Sequence, residues 1–370
     1  MTYKKKVTMK DVAEKSGVSL TSVSMILNHQ KDVSFSMETI QKVISAAKEL
    51  GYTPKKPFQE KTENILSVDP SANIIAVFCP NISNAYYSTI VQSIEQEAYL
   101  KNYKVFILTT YRDKKIEKEM LTEMLNIRVS GIIFTMIPAD LEFAEQISVN
   151  IPMVIIGDKN AFTQIDIIGT SNYQAGVLLA EHLYELGHRQ LAFISTTLGP
   201  DRFFSMRYHR LKGIQDTYRK LSLNESYHIF VEEAQIAPDS ERSNLSLEYD
   251  VGFRLCEKCL KKQKRDRITA FVGVNDVVCY GIMDALLKNG YEIPYDFSVC
   301  GFDNDFPSRL LPISLTSVEH YMEDKGKKAV EILHQKINNM TGFCRKDSKV
   351  IIKMEYQSKL IIRDSTAAVK

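Results

Sequence analysis

At 370 residues the chain is long enough for two or three domains, each with its own core. Its composition, 44% hydrophobic and 25% charged with a net charge of +2, is that of a soluble globular protein and excludes an all-over nucleic-acid coat, though not a local basic patch. No stretch approaches the roughly 18 consecutive apolar residues of a membrane span, and the segment after Lys4, Lys5 and Lys6 carries Lys10, Asp11, Glu14 and Lys15 where a signal peptide would be apolar, so a cytoplasmic protein is expected.

Residues 1–56 contain ten lysines against five acids, a local charge of +5, which leaves the other 314 residues near −3. A small basic head on a near-neutral body points to a polyanionic partner for the head. Three short helices are predicted there. Thr8 caps the first, with Asp11 completing a capping box and Gly17 ending it. Ser19 caps the second, from Leu20 to about Asn28, and Ser36 caps the third, which runs to Leu50 and stops at Gly51. Val12, Ala13, Val18, Val23, Leu27, Val43, Ala47 and Leu50 fall at helical spacing and form a small interior. Two helices joined by a turn of about three residues at Gly17 make a helix-turn-helix. Residues 57–72, with Pro57 and Pro70 among Lys and Glu, read as a linker.

From Asn73 onward apolar strands alternate with amphipathic helices. The strands expected are Ile74–Phe78, Lys104–Thr109, Gly131–Met136 and Met153–Ile156, then Leu191–Ser195, Tyr227–Val231, Thr269–Gly273 and Phe297–Gly301. Continuous apolar runs separated by helices indicate parallel sheets covered on both faces. Two such series predict two doubly wound lobes, residues 73–171 plus 302–325 and residues 172–301 plus 326–370, with a ligand cleft at the carboxyl ends of the strands. Cys79, Cys279 and Cys300 sit in apolar segments and are expected buried, and Cys256 and Cys259 read as two thiols on one helix. There is no phosphate-binding loop and no G-x-G-x-x-G after a strand. His182 and His188 stand among Glu181 and Glu185 in an order unlike the zinc-protease motif, so no enzyme, cofactor or metal site is expected.

The run from Val7 to Asn28, followed by Glu49-Leu50-Gly51-Tyr52-Thr53-Pro54, resembles the DNA-binding head of the lactose-repressor (LacI/GalR) family. The resemblance implies that Leu20, Thr21 and Met25 read base edges while Thr8, Ser19, Ser22, Ser24 and Asn28 contact phosphates. Met25 stands where the family usually has arginine, which removes a bidentate contact to guanine and implies an unusual operator. The family's minor-groove leucine falls at Lys61, with Pro57 interrupting the preceding turn, so the usual hinge contact is in question.

The body is similar to the same family and to the periplasmic sugar-binding proteins. The similarity rests on Asn84-Ala85-Tyr86-Tyr87, Leu186-Gly187-His188-Arg189, Arg210-Leu211-Lys212-Gly213, Val274-Asn275-Asp276, Gly301-Phe302-Asp303 and Leu315-Thr316-Ser317-Val318. By position it implies effector contacts from Asn84, Tyr86, Tyr87, Asp158, Lys159, Arg210, Asn275, Asp303 and His320. Carboxylates and amides for paired hydroxyls, a cation and aromatic faces are the chemistry of a polyol site. Lys159 and His320 replace the arginine and glutamine common in the sugar binders. Leu247 takes an aromatic wall position that Tyr249 is expected to fill instead.

The expected protein therefore has an all-α helix-turn-helix head joined to an α/β periplasmic-binding-protein-like body of two doubly wound parallel-sheet lobes. It is read as a homodimeric repressor of operator DNA under control of a carbohydrate effector. A sugar-binding module without DNA function, and a family-like regulator governed by a protein partner, are the alternatives.

Overall fold

The computed structural model describes residues 8–27, 35–50, 52, 73–158, 163–198, 205–223, 225–236, 244–262, 268–310, 312–341 and 350–370. The chain divides into two units, Met1–Ser67 and Val68–Lys370. The linker, including Pro57 and Lys61, lies outside the described residues, as do Asn28 and Lys159.

The head consists of α1 (Met9–Ser16), α2 (Leu20–Leu27) and α3 (Met37–Leu50). Thr8 caps α1 reciprocally with Asp11, and Gly17 ends it at φ 67°, a left-handed conformation that costs glycine little. Ser19 Oγ accepts from Ser22 N at 3.1 Å and Ser36 Oγ from Thr39 N at 3.2 Å, so the expected caps of α2 and α3 form. Val12, Val23, Ile26, Val43, Ala46 and Ala47 are the buried centre, with Leu27 and Leu50 only partly covered. The buried face of α2 is thus carried by Val23 and Ile26, three residues apart.

The body contains two six-stranded sheets. The first is built from β1 (Ile74–Cys79), β2 (Lys104–Thr109), β3 (Gly131–Phe134), β4 (Met153–Ile156), β5 (Asp166–Thr170) and β11 (Lys353–Tyr356), in the order β11-β5-β4-β3-β1-β2. All its pairings are parallel. The second is built from β6 (Gln190–Thr196), β7 (His228–Ala234), β8 (Ala270–Gly273), β9 (Ser298–Asp303), β10 (Thr316–Glu319) and β12 (Lys359–Ile361), in the order β12-β10-β9-β8-β6-β7. Only β12 runs antiparallel, against β10. Helices α4 (Ala85–Leu100), α5 (Lys114–Ile127) and α6 (Leu141–Ser148) follow strands of the first sheet. Helices α7 (Asn172–Glu185), α8 (Met206–Leu221), α9 (Leu247–Lys262) and α10 (Asp276–Lys288) belong to the second. Strands β1, β3, β4, β6, β8 and β9 are largely apolar because both faces are covered, as in Ile75, Val77, Phe193 and Val272, whereas the edge strand β2 leaves Phe106 and Ile107 exposed.

The division into lobes differs from the expected one. Residues 302–319 stay in the second lobe, since β10 pairs with β9 in the register Val318↔Phe302. The chain then crosses at His320 and Tyr321, and α11 (Met322–Thr341) buries Ala329, Val330 and Leu333 in the first lobe's core. There β11 extends the first sheet beside β5 before the chain returns as β12. The lobes are therefore joined by three crossings, near Ser171, His320 and Gln357. The last two strands are four and three residues long at sheet edges and largely half-buried, so no continuous apolar run marks them. Asp166 fixes the added strand: its Oδ1 accepts from Ile352 N at 2.8 Å and its Oδ2 lies 2.7 Å from Lys336 Nζ.

Cys79, Cys256, Cys259, Cys279 and Cys300 are all buried thiols, the middle pair on α9 as expected. His188 bonds Thr269, Ser298 and Ala367 in the interior, and burial pushes its imidazole down to about 4, so it is a neutral fastener for the C-terminal tail. No helix among the described residues is long and apolar enough to cross a membrane.

Candidate functional site: an inter-lobe cleft and a helix-turn-helix tip

In the body, two close helix crossings set the cleft side chains of the second lobe. A Cβ on Gly213 would lie 2.2 Å from the Tyr173 carbonyl oxygen, and one on Gly176 would lie 2.1 Å from that of Arg210. Helices α7 and α8 therefore pack backbone to backbone, which carries Arg210 to within 2.9 Å of Asn172 Oδ1. Gly252 and Gly281 play the same part between α9 and α10, bringing Glu248 beside Asn275.

Across the mouth of the cleft the lobes meet through Glu248. Its Oε2 accepts from Asn84 Nδ2 of the first lobe at 2.5 Å and from Asn275 Nδ2 of the second at 2.9 Å. Its Oε1 is 3.2 Å from the Arg207 guanidinium. Both asparagines also cap helices, Asn84 accepting from Tyr86 N and Asn275 from Val278 N, so their side chains are held by the backbone they serve. Asp158, at the end of β4, reaches His209 Nδ1 of α8 at 3.2 Å and makes a second inter-lobe contact. The open part of the cleft is lined by Asn84, Tyr87, Arg112, Thr196, Arg207 and Leu247. Arg112 donates to Tyr87 Oη at 2.6 Å.

Deeper in, Arg210 is the centre of a buried polar knot. Besides Asn172 it donates to the Val274 carbonyl, reaches Asp303 Oδ1 at 3.4 Å and stands 3.1 Å from His320 Nδ1, with its guanidinium 4.9 Å from the Phe302 ring centroid. Asp303 has φ 116°, a conformation rarely adopted by residues with side chains and held by its surroundings at the end of β9. Burial, offset in part by Arg210, pushes its carboxyl up to about 6. Burial, with Arg210 and Lys325 adding to it, pushes the His320 imidazole well down, so it is neutral. A guanidinium only donates, so His320 Nδ1 accepts and the ring proton is on Nε2. Tyr86 sits edge-on to both Tyr87 and His320, at 5.1 and 6.3 Å between ring centroids.

Of the eight described residues among the nine expected for the effector, Asn84 and Tyr87 line the open cleft, Asn275 bonds the same Glu248 as Asn84, Asp158 bonds His209 of the other lobe, and Tyr86, Arg210, Asp303 and His320 belong to the buried group behind it. Glu248, Arg207, Arg112, His209 and Lys325 were not expected. Arg207 and His209 share a helix with Arg210, and Glu248 follows the noted Leu247, so adjacency on a helix is the signal that could have found them. The expected replacement of the wall by Tyr249 does not occur. Its hydroxyl bonds Asp284 of α10, while Leu247 lines the cleft.

In the head, Ser19, Leu20 and Thr21 are exposed at the start of α2, with Leu20 at 50% of its free surface. Ser22, Ser24 and Met25 are half-covered, and Thr8 is exposed at the start of α1. Two helix N-termini thus present small hydroxyls and unpaired backbone N–H groups at the surface, an arrangement suited to anionic oxygens.

Comparison with known proteins accounts for both units. Residues 8–55 match the family model of the bacterial regulatory proteins of the lacI family, and residues 180–366 match that of the periplasmic binding protein-like domain. The operon regulator NtdR of Bacillus subtilis is 28% identical over 97% of this chain and 99% of its own length. A periplasmic binding protein/LacI transcriptional regulator from Alkaliphilus metalliredigens, solved with D-xylulofuranose, is 27% identical with a TM-score of 0.62, covering 80% of this chain and 99% of that one. The lac repressor dimer bound to operator and an anti-inducer shares the fold at a TM-score of 0.64 and 23% identity, over 98% of this chain and 100% of that one. With a helix-turn-helix head matched at one end and a two-lobed ligand-binding fold matched over half its length, the chain belongs to the lacI family of bacterial transcription regulators.

Proposed function

We propose that the protein is a cytoplasmic repressor whose affinity for operator DNA is set by a small carbohydrate-type effector in the inter-lobe cleft. The observation that carries this reading is the set of amide, carboxylate and guanidinium groups that meet from both lobes at Asn84, Glu248, Asn275 and Arg207. Such groups match the paired hydroxyls of a polyol, with Tyr86 and Tyr87 offering ring faces to C–H surfaces. A ligand there acts on DNA binding only through different affinity for two states of the protein.

For the head, Leu20, Thr21 and Met25 are the proposed base readers, with Thr8, Ser19, Ser22, Ser24 and Asn28 on phosphates. The working unit is a homodimer. Strand β2 is an edge of the first sheet, and with the end of α4 it exposes Tyr99, Leu100, Phe106 and Ile107. An apolar edge strip of this kind calls for a cover, and a second copy of the chain supplies one. Two heads would then read half-sites about 10 base pairs apart in a near-palindrome.

Selection of bound sites from random DNA with the full chain tests the reading. A near-palindromic site should emerge, its affinity should fall steeply with salt as phosphate contacts require, and an added sugar should shift it. Absence of any sequence preference at moderate salt, with or without sugars, overturns it.

A further inference from the structure

The hinge-side end of the cleft holds two buried donors that the described residues leave under-satisfied. Lys325, in the first turn of α11, is 1% exposed. Its Nζ makes one hydrogen bond among the described residues, to Thr170 Oγ1 at 3.3 Å, and stands 5.8 Å from the Tyr86 ring centroid. An ammonium has three N–H bonds to place. Asp303 and Glu319 act on it through space, and burial outweighs them, pushing its ammonium down to about 7. His320, also 1% exposed, carries its proton on an Nε2 that has no hydrogen-bond partner among the described residues. Both side chains lie against Tyr86, the ammonium 5.8 Å and the imidazole centroid 6.3 Å from the centroid of its ring.

Ownership of these groups gives the position a function. Tyr86 and Lys325 belong to the first lobe, Arg210 and Asp303 to the second, and His320 to the crossing between them. A ligand entering between the lobes to this depth meets donors from both sides. Arg210 and Lys325 here face the carboxylates of Asp303 and Glu319, with His320 neutral, so the charges are close to balanced while the N–H groups of Lys325 are not. Glu319 is committed elsewhere, accepting from Asn304 Nδ2 and Tyr321 N. A buried ammonium with N–H bonds unplaced is costly unless an acceptor, best a charged one, meets it.

We propose that this end of the cleft is a carboxylate subsite and that the effector is a sugar acid, an aldonate or a uronate. Its carboxylate takes the Lys325 ammonium and the His320 Nε2–H, and its hydroxyls lie toward Asn84, Glu248 and Asn275. A carboxylate offers two acceptor oxygens, one for each of these two donors. The proposal rests on the reading of the cleft as the effector site.

The test is calorimetric titration of the full chain with a panel of five- and six-carbon aldonates and uronates, including D-gluconate and D-galacturonate. The neutral parent sugars and D-glucose 6-phosphate are run beside them. At least one acid should bind roughly ten- to a hundredfold more tightly than its neutral parent, the range of a charge-assisted hydrogen bond. Lys325→Arg should keep that preference, and Lys325→Met should narrow it to less than about threefold. Methionine fills a similar volume without the buried charge, so an unchanged or higher melting temperature certifies the fold of that variant. Neutral sugars binding as tightly as acids, a phosphate preferred over every carboxylate, or a Lys325→Met variant that keeps the full preference overturns the subsite. Silence of the whole panel overturns the cleft reading itself, and the subsite with it.

Discussion

The Asn84 amide and the Glu248 carboxylate meet across the cleft at 2.5 Å, one side chain from each lobe. Glu248 gathers Asn275 and Arg207 on the same two oxygens, so the chain's own carboxylate occupies a position where a ligand's hydroxyls or oxyanion would otherwise sit. Closure of the lobes is therefore partly self-supplied. Glu248→Ala leaves the Asn84 and Asn275 amides and the Arg207 guanidinium without that acceptor, and a loss of about 1–2 kcal/mol is expected from urea unfolding of the body. Because the mouth contact between the lobes goes with it, the radius of gyration in solution scattering should rise. An unchanged radius together with unchanged stability sinks the assignment of Glu248 as the inter-lobe bridge.

A pH dependence follows from Glu117. Its Oε1 accepts from the backbone N–H groups of Ala139 and Asp140, at 2.8 and 3.3 Å, while its Oε2 has no partner among the described residues. Burial pushes the carboxyl up to about 7 from an ordinary 4.5, against the pull of those two N–H groups. Between those values the unfolded chain has released the proton and the folded one retains it. The unfolded state then binds fewer protons, so this group lowers stability as pH rises from about 4.5 to 7, by no more than roughly 3–4 kcal/mol. Glu117→Gln keeps the Oε1 acceptor and cannot ionise. Its unfolding midpoint should therefore change less between pH 5 and pH 7.5 than the parent's. Parallel profiles for the two proteins would show that Glu117 titrates alike in both states.

Gly213 tests how the second lobe positions Arg210. The Cβ of Gly213→Ala has backbone, not a flexible side chain, 2.2 Å away, so α7 and α8 must separate. Overpacking of this kind costs about 1–3 kcal/mol, and the Arg210–Asn172 bond at 2.9 Å must lengthen with it. Gly290→Ala, at φ 80° with nothing within 4 Å of its Cβ, carries backbone strain without any clash and serves as the comparison. The first variant should lose both stability and effector affinity, and the second only stability. Equal effects on affinity would separate the helix crossing from the site.

These relationships mark how far the sequence could be read. Caps such as Thr8, Ser19 and Ser36 were legible because an oxygen three residues before a donor is local information, and apolar runs such as Ile75–Phe78 were legible because both faces are buried. The lobe boundaries were not. Nothing local in Thr316–Glu319 says which sheet it joins, and β11 is fixed by Asp166 from nearly two hundred positions away. Around the cleft, residues with a positional counterpart could be nominated from the sequence, whereas Glu248 and Lys325 emerge only when the lobes are brought together. A glutamate on an amphipathic helix and a lysine in a helix's first turn look solvated until the tertiary structure buries them.

The head allows fold and recognition to be separated at adjacent positions. Ser19 Oγ accepts from Ser22 N at 3.1 Å at the start of α2, so Ser19→Ala should cost the head about 1 kcal/mol. It should also weaken DNA binding broadly if the same hydroxyl meets a phosphate. Leu20, one residue on, is 50% exposed and outside the cluster formed by Val12, Val23, Ile26 and Val43. Leu20→Ala should therefore leave stability within about 0.5 kcal/mol of the parent, as surface substitutions do. Its effect should fall on sequence choice, with the preference at one or two base pairs per half-site relaxed while non-specific affinity and its salt slope persist. Thermal melting together with site selection from random DNA reads both quantities. A Leu20→Ala head that is destabilised by more than 1.5 kcal/mol, or one that selects the parental site unchanged, shows that this leucine packs against the head instead of reading DNA.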